Sequence, residues 1–279
     1  MQKFKRVAII GVGLMGGSIG LAIRKNRLAK EVVGVCRTPH SVRLARKIGA
    51  IDWGTTNSLQ AVQGSDLVIL ATPIRLIPIL VKHLARHLEP GSILMDVAST
   101  KGALVKEIEK FIPKDVIFIG SHPMAGRERR GVTNASATLF QGNLCFITRR
   151  PHTPLVSLRS MITFWKALGS RVKVVGIEEH DRLVASLSHL PHVVTALLVL
   201  NADKIEFAGT GFKDITRVVS SDPSLWQDIL LSNQKEILKS MDRFRKRLDG
   251  MIALLRKKKV EAILSQLQKA KRLRDRLIR

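Results

Sequence analysis

The segment RVAIIGVGLMGGSIG, residues 6–20, constrains the fold of this chain more than any other feature. A short apolar run with strand character leads into a G-x-G-x-x-G spacing, and small and apolar residues at helical spacing follow. In such a strand–turn–helix unit, the first glycine allows a tight turn, the second lets the backbone approach a pyrophosphate, and the third lets helix and strand pack closely. The helix N-terminus adds a positive dipole. We therefore expect this turn to bind a dinucleotide through Gly11, Gly13, Leu14, Met15 and Gly16.

Strand-like and helix-like segments alternate over the first 176 residues. The apolar runs at 31–36, 66–72 and 92–98 each precede a segment with helical periodicity. Further strand-like runs lie at 115–121, 143–149 and 171–176. Such alternation is typical of a parallel sheet covered by helices on both faces. The pattern predicts a doubly wound, Rossmann-type α/β domain over residues 1–176.

After residue 176 the strand signals stop and long helical patterns take over, at roughly 177–203, 222–257 and 259–278. We place a domain boundary here and predict an all-α domain over residues 177–279 that binds substrate and dimerises. Its apolar stripes need a partner to cover them, which predicts a homodimer; they include Ile229, Leu230, Ile237, Leu238, Met241 and Leu248.

The charge of the chain is strongly positive, with a formal net charge of +25 over 279 residues. From residue 235 onward, 16 Lys or Arg stand against 5 Asp or Glu, along sequence with helical character. A solvated helix face explains such a run, and the sequence carries no zinc-finger spacing or RNP aromatics, which argues against nucleic-acid binding. We expect a small-molecule substrate and no nucleic-acid partner.

The composition favours a globular cytoplasmic protein, with 45% hydrophobic and 25% charged residues. No run approaches 18 uninterrupted apolar residues, and the N-terminus passes directly into a strand pattern, so we expect neither a membrane span nor a secretory signal. Two cysteines, Cys36 and Cys145, cannot form a framework of disulfides and fit a reducing compartment.

The end of the second predicted strand bears on the choice of cofactor. NAD sites of this kind usually carry an acidic residue there, which accepts hydrogen bonds from the ribose hydroxyls. Cys36 stands at that position, followed by Arg37 and Thr38, which could contact a 2′-phosphate. The sequence therefore favours NADP, whereas a solvated arginine that still admits NAD is the alternative.

Two polar segments follow apolar strands, DVASTKG at 96–102 and GSHPMAG at 120–126. Ligands of open α/β sheets bind beyond the carboxyl ends of the strands, so Ser99 and His122 should project toward the nicotinamide end of the cofactor. A histidine can accept a proton from a substrate hydroxyl while hydride leaves the same carbon. A purely structural histidine at a strand end is the alternative.

These segments carry a resemblance to a known family. In order and interval, GVGLMGGS, ATP at 71–73, DVASTKG, GSHPMAG, SHLPH at 188–192 and GFKDITR…SDPSLW at 211–226 resemble the prephenate dehydrogenase family. That family includes arogenate and cyclohexadienyl dehydrogenases of tyrosine biosynthesis. The resemblance implies oxidative decarboxylation of a cyclohexadienol acid, prephenate or arogenate, with hydride transfer to NAD(P)+ and release of CO2 to leave an aromatic ring.

The same resemblance implies roles for individual residues. His122 would take the hydroxyl proton, and Ser99 would hydrogen-bond both His122 and the substrate. Arg217 would bind the ring carboxylate. The substrate pocket would also include His189, His192 and Trp226, and the cofactor site would include Thr72, Pro73 and Ser99.

Other positions leave alternatives open. The family commonly has threonine and glutamate after HPMAG, whereas this chain has Arg127 and Glu128; Arg127 could grip the side-chain carboxylate of the substrate or lie exposed. His180 and Asp181 read as helix-start residues rather than catalytic ones. The histidines of SHLPH lack a further ligand cluster, so we expect no metal site.

Two other functions compete with this interpretation. A β-hydroxyacid or 6-phosphogluconate-type dehydrogenase also joins a glycine-loop domain to helices, but no match to its catalytic lysine is evident. A non-catalytic NADP-binding regulator would use the basic helices to hold a partner, and would bind cofactor without turnover.

Overall fold

A computed structural model describes residues 3–126 and 131–276 of the chain, which form eight strands and twelve α-helices. The strands are β1 (Phe4–Ile10), β2 (Ala29–Val35), β3 (Trp53–Thr55), β4 (Leu67–Leu70), β5 (Ile93–Asp96), β6 (Ile117–Pro123), β7 (Leu144–Arg149) and β8 (Arg171–Gly176). The helices are α1 (Leu14–Lys25), α2 (Pro39–Lys47), α3 (Ser58–Val62), α4 (Ile77–Leu84), α5 (Gly102–Ile108), α6 (Leu155–Ala167), α7 (Ile177–Val184), α8 (Leu190–Leu200), α9 (Thr210–Thr216), α10 (Pro223–Ser232), α11 (Gln234–Arg256) and α12 (Val260–Asp275).

The strands form one sheet in the order β3-β2-β1-β4-β5-β6-β7-β8. Strands β1 to β6 run parallel to one another, β7 runs antiparallel to β6, and β8 runs parallel to β7. The first six strands have the order typical of dinucleotide-binding domains, in which the chain reverses direction across the sheet between β1 and β4. This confirms the predicted doubly wound α/β fold and places the binding crevice beyond the carboxyl ends of β1 and β4.

The sheet is buried on both faces, which explains why its central strands read as continuous apolar runs. Val7 and Ile9 of β1 pack into one cluster together with Trp165 of α6, while Ala8 and Ile10 pack into the cluster on the opposite face. All four β1 side chains are almost completely inaccessible to solvent. This rigid platform fixes the positions of the loops that follow each strand.

Two compact units divide the chain, Met1–Gln234 and Lys235–Arg279. Helices α7 to α10 therefore group with the sheet in the first unit. The helix predicted over 222–257 is interrupted at Asn233, where α10 ends and the backbone leaves the helical conformation before α11. The boundary between 176 and 177 stays a prediction.

Only one helix in the described part of the chain, Ile177–Leu200, is long and apolar enough to cross a membrane, with a mean hydropathy of 1.8. This continuous helix comprises α7, a π-helical turn at Ala185–His189, and α8. Four of its titratable residues are buried within the first unit: His180, Asp181, His189 and His192. The helix therefore packs within that unit through these four residues, whereas most of its apolar window is not buried.

Candidate active site

The glycine turn between β1 and α1 has the geometry of a dinucleotide-binding loop. Gly11 has a φ of +98°, and a Cβ there would meet the Ala71 carbonyl oxygen at 2.8 Å. A Cβ on Gly16 would overlap the Gly11 carbonyl oxygen, so this glycine allows α1 to pack on β1. A Cβ on Gly13 would meet nothing within 4 Å. The space above Gly13 is therefore open, and a pyrophosphate can come close to the protein backbone there.

The neighbouring strand end also fits a dinucleotide. Thr72 follows β4 across the switch point, and its buried Oγ1 has no hydrogen-bond partner among the described residues. A buried hydroxyl without a partner is costly unless a ligand or water satisfies it. Pro73 then precedes a short 3₁₀ turn, while Leu14 and Met15 open α1 and pack against the core. These residues would hold the cofactor, with the α1 N-terminus toward its pyrophosphate.

The three residues expected near the ribose differ in their surroundings. The Cys36 side chain is buried, and burial raises the pKa of its thiol. Thr38 caps α2, because its Oγ1 accepts the Ser41 backbone N–H at 3.2 Å. Arg37 is exposed and makes no side-chain hydrogen bond within the described ranges. Of the three, Arg37 is the side chain best placed to meet an anion from solvent.

His122 lies near the end of β6 in a buried chain of hydrogen bonds. Its Nδ1 is 2.9 Å from Nε2 of His180, and Nδ1 of His180 is 2.8 Å from Oδ1 of Asp181. His122 and Asp181 are 7% and 6% exposed, and His180 is fully buried. Residues separated by 58 positions in sequence thus form one linear His–His–Asp arrangement.

The Asp181 carboxylate is fixed by the start of α5. Its Oδ1 accepts the Lys101 backbone N–H at 2.9 Å, and its Oδ2 accepts the Gly102 backbone N–H at 2.7 Å. A carboxylate at a helix N-terminus is stabilised by these donors. Burial acts to raise the pKa of Asp181, but the bonds from His180 and the two amides outweigh it and lower the pKa overall. Asp181 is therefore ionised at neutral pH.

A second buried charge lies beside the histidines. Lys101 Nζ donates to Asp96 Oδ2 and to the Ala98 carbonyl oxygen, each at 2.7 Å, and both charged side chains are fully buried. The lysine stem passes directly over Gly120 of β6, where a Cβ would press against it. A side chain at position 120 would thus disturb this ion pair, whose separation in the interior would leave an uncompensated charge.

The histidines of this cluster are held neutral. Burial, together with the positive charge of Lys101, sets the pKa of His122 well below its usual value of 6.5. Burial also lowers the pKa of His180, although the bond to Asp181 opposes that shift. An imidazole that is neutral at physiological pH can accept a proton.

Ser99 does not make the hydrogen bond to His122 that the resemblance implies. It lies half-buried in the loop after β5, and its side chain bonds to no described residue. The adjacent Thr100 contacts Ser232 of α10 at 2.8 Å. The His122 Nδ1 is instead paired with His180, and a role of Ser99 toward the substrate or the cofactor stays a prediction.

His189 lies in the π-helical turn, a local irregularity often found at functional sites. Its Nδ1 is 3.2 Å from Nδ2 of Asn233, whose amide also donates to the Asp181 carbonyl oxygen at 2.9 Å. Because Asn233 donates both bonds, the His189 Nδ1 accepts and its proton lies on Nε2. Burial lowers the pKa of His189 to about 4. His189 is therefore a neutral hydrogen-bond donor.

His192 stacks on Trp226, with ring centroids 3.5 Å apart and planes within 6° of each other. The same indole meets the His189 ring edge-on at 6.1 Å. The His192 Nδ1 is buried and lacks a hydrogen-bond partner in the described part of the chain. These contacts join α8 and α10 and leave one buried polar atom for a ligand.

The remaining predicted residues are less buried. Arg217 is exposed in the 3₁₀ turn Arg217–Ser220, which follows α9. Asp222 then caps α10, accepting the Ser224 backbone N–H at 2.7 Å. Arg127 lies outside the described residues.

Sequence reasoning missed three members of this network. His180 and Asp181 do lie at the start of α7 as expected, but they are buried partners of His122 rather than ordinary helix-start residues. Asn233 carried no signal at all. Each acts through contacts between segments 44 to 80 residues apart, which no local spacing reveals.

Comparisons with known proteins agree with this geometry. The family model for "Prephenate dehydrogenase, nucleotide-binding domain" matches residues 19–174, and that for "Prephenate dehydrogenase, dimerization domain" matches residues 177–269. The prephenate dehydrogenase of Bacillus subtilis is 32% identical over 98% of this chain and 76% of its own length. The cyclohexadienyl dehydrogenase of Zymomonas mobilis is 34% identical over 88% of this chain and 86% of its length.

The fold is shared as well. The crystal structure of prephenate dehydrogenase from A. aeolicus in complex with hydroxyphenyl propionate and NAD+ matches with a TM-score of 0.92 and 31% identity, covering 99% of both chains. The agreement extends over both the sheet domain and the helices that follow it. The chain belongs to the prephenate dehydrogenase family.

Proposed function

We propose that this chain catalyses the oxidative decarboxylation of prephenate or arogenate with a nicotinamide dinucleotide, giving 4-hydroxyphenylpyruvate or tyrosine. The observation that carries the proposal is the His122 imidazole, which lies near the carboxyl end of β6 and is hydrogen-bonded to His180 through Nδ1. Relatives named for this reaction span nearly the whole chain. The hydroxyacid dehydrogenase and the non-catalytic regulator are not favoured.

The nicotinamide ring, when bound, supplies the hydride acceptor of the reaction. His122 accepts the proton of the substrate hydroxyl, since burial keeps its imidazole in the neutral form. Loss of the ring carboxylate as CO2 then leaves an aromatic phenol, which makes the reaction irreversible. Ser99, half-buried after β5, contacts the substrate hydroxyl or the cofactor.

The substrate would be held by residues of the helices. Arg217 binds the ring carboxylate through its planar guanidinium, which matches a carboxylate with two parallel hydrogen bonds. His189 offers its Nε2 proton, and His192 and Trp226 form a flat wall beside them. Arg127 is the further candidate for the side-chain carboxylate.

The cofactor preference that we propose is NADP over NAD. The end of β2 carries no carboxylate to accept hydrogen bonds from ribose hydroxyls, because Cys36 stands there with a buried side chain. The exposed Arg37 offers a guanidinium to a 2′-phosphate. Replacing Arg37 with Ala should weaken NADP+ binding by about tenfold and leave NAD+ binding unchanged; equal effects on both would contradict the preference.

We also propose a homodimer formed through the C-terminal helices. Large apolar side chains are exposed on α8, including Leu197 and Leu200, which is 81% exposed. In the second unit, Leu248, Leu255 and Leu264 are exposed on α11 and α12. Faces of this kind are usually covered by another chain. Light scattering should give twice the mass of 31.0 kDa; a monomer would contradict the proposal. A cytoplasmic location stays a prediction.

One assay tests the reaction directly. The purified chain is mixed with prephenate or arogenate, each with NAD+ or NADP+, while reduced cofactor and CO2 are followed together. We expect equimolar formation of both with at least one of the four pairs. Reduction of cofactor by a β-hydroxyacid without CO2 would instead support the hydroxyacid dehydrogenase, and binding without turnover would support the regulator.

A further inference from the structure

The hydrogen bonds that end at Asp181 determine where the protons of the histidines lie. The ionised carboxylate can only accept, so His180 must donate to it through Nδ1–H. A neutral imidazole carries one proton, which leaves Nε2 of His180 as an acceptor. The two backbone amides at the start of α5 prevent the carboxylate from turning away, because they hold both of its oxygens.

The same logic continues one step along the chain of bonds. Since Nε2 of His180 accepts, Nδ1 of His122 must donate its proton across the 2.9 Å contact. A neutral His122 then has a bare lone pair on Nε2. That nitrogen has no hydrogen-bond partner among the described residues, and it is not one of the fully buried polar atoms without a partner.

We propose that His180 and Asp181 are positioning residues that hold His122 as the Nδ1–H tautomer, with Nε2 as the base, and that share the positive charge when the base is protonated. The proposal rests on the proposed function. As the substrate O–H bond breaks, the proton binds Nε2 of His122. The Nδ1 proton can then move to Nε2 of His180, so the charge approaches Asp181 and no electrons are transferred.

The charged groups around the pair explain why such help is needed. Lys101, at the start of α5, disfavours a positive charge on either histidine, and a proton on His189 of the π-helical turn would add to this effect on His122. Asp96 of β5 favours a positive charge on His180, but this carboxylate is itself paired with Lys101. The thiol of Cys145 on β7 is kept neutral, because burial raises its pKa. Asp181 is therefore the carboxylate that contacts the His122–His180 pair directly.

The first test observes the imidazole nitrogens of the wild-type chain directly, and uses variants only to assign the signals. In the ¹⁵N-labelled full chain near neutral pH, long-range ¹⁵N–¹H correlation spectra distinguish protonated from bare imidazole nitrogens. We expect protonated Nδ1 and bare Nε2 for both His122 and His180, with signals assigned through His122→Asn and His180→Gln. A proton on Nε2 of His122 would overturn the proposal.

The second test measures turnover. His180→Leu and Asp181→Asn should each lower kcat by about a hundredfold while KM changes little. His180→Gln should recover part of the loss, because its amide oxygen can accept the His122 proton. Glu179→Gln is the matched control, since it removes an exposed carboxylate from the same helical turn, and it should leave kcat unchanged.

Two readouts separate positioning from a merely structural role. Asp181→Asn should move the acidic limb of the kcat profile to lower pH, because the carboxylate no longer stabilises the imidazolium. Adding Asp181→Asn to His122→Asn should cause no further loss, since Asp181 acts through His122. An unmoved limb or additive losses would refute the proposal. If the wild type fails to turn over, the proposed function fails, and the spectra still decide the tautomer.

Discussion

The burial of His189 predicts a specific dependence of stability on pH. Burial lowers the pKa of His189 from 6.5 to about 4, so the unfolded chain binds a proton that the folded chain does not over this interval. The free energy of unfolding therefore falls as the pH drops below about 6.5, and the loss is complete below about pH 4. The difference between the two pKa values corresponds to about 3 kcal/mol in full, and to about 2 kcal/mol at about pH 5.

Urea unfolding followed by circular dichroism at about pH 7.5 and about pH 5 measures this term. The wild type should lose about 2 kcal/mol more than His189→Gln between these conditions, since glutamine does not titrate. His40→Gln replaces an exposed histidine of α2 and serves as the control, with a loss equal to that of the wild type. Equal losses in the wild type and His189→Gln would refute the reasoning.

Substitutions at four positions probe the nucleotide loop and the substrate pocket. Gly16→Ala should lower the free energy of unfolding by about 1–3 kcal/mol, because its Cβ overlaps the Gly11 carbonyl, whereas Gly13→Ala should mainly weaken cofactor binding. Thermal unfolding measures the stability of both variants, and calorimetric titration measures their affinity for the cofactor. The reverse pattern would contradict the loop geometry. Trp226→Leu removes the stack on His192 and should lower kcat/KM by up to about tenfold, so an unchanged value would exclude the pocket assignment. Arg217→Ala should raise KM more than it lowers kcat, with little recovery in Arg217→Lys, because lysine lacks the planar fork; an unaltered KM would remove the carboxylate anchor.

Much of the fold could be predicted because its signals are local. The glycine spacing after β1 and the apolar runs of the central strands depend on contacts between neighbouring elements, and β1 to β6 form the parallel sheet that they predict. The reversal of β7 relative to β6 had no such signal. The break at Asn233 was also missed, because its side-chain amide contacts His189 and the Asp181 carbonyl oxygen, which are far away in sequence.

The candidate site also has one residue that the local sequence indicates and partners that it does not. His122 could be singled out from its position after an apolar run; the structure buries it near the end of β6, and its catalytic role stays a prediction. Its partners could not, since His180 and Asp181 arrive from a helix that begins after β8. A histidine and an aspartate in the first turn of a helix also serve as ordinary polar residues. Only the packing of α7 against β7 and α5 decides between the two.

The central claim is that His122 accepts the substrate proton, and one comparison tests it most directly. Turnover of the wild type and of His122→Asn is measured with the preferred substrate and cofactor, while the dissociation constant of the cofactor is measured for both. We expect kcat of His122→Asn to fall by about 10²- to 10⁴-fold with cofactor affinity unchanged. Turnover close to that of the wild type in a folded, cofactor-binding variant would contradict the account.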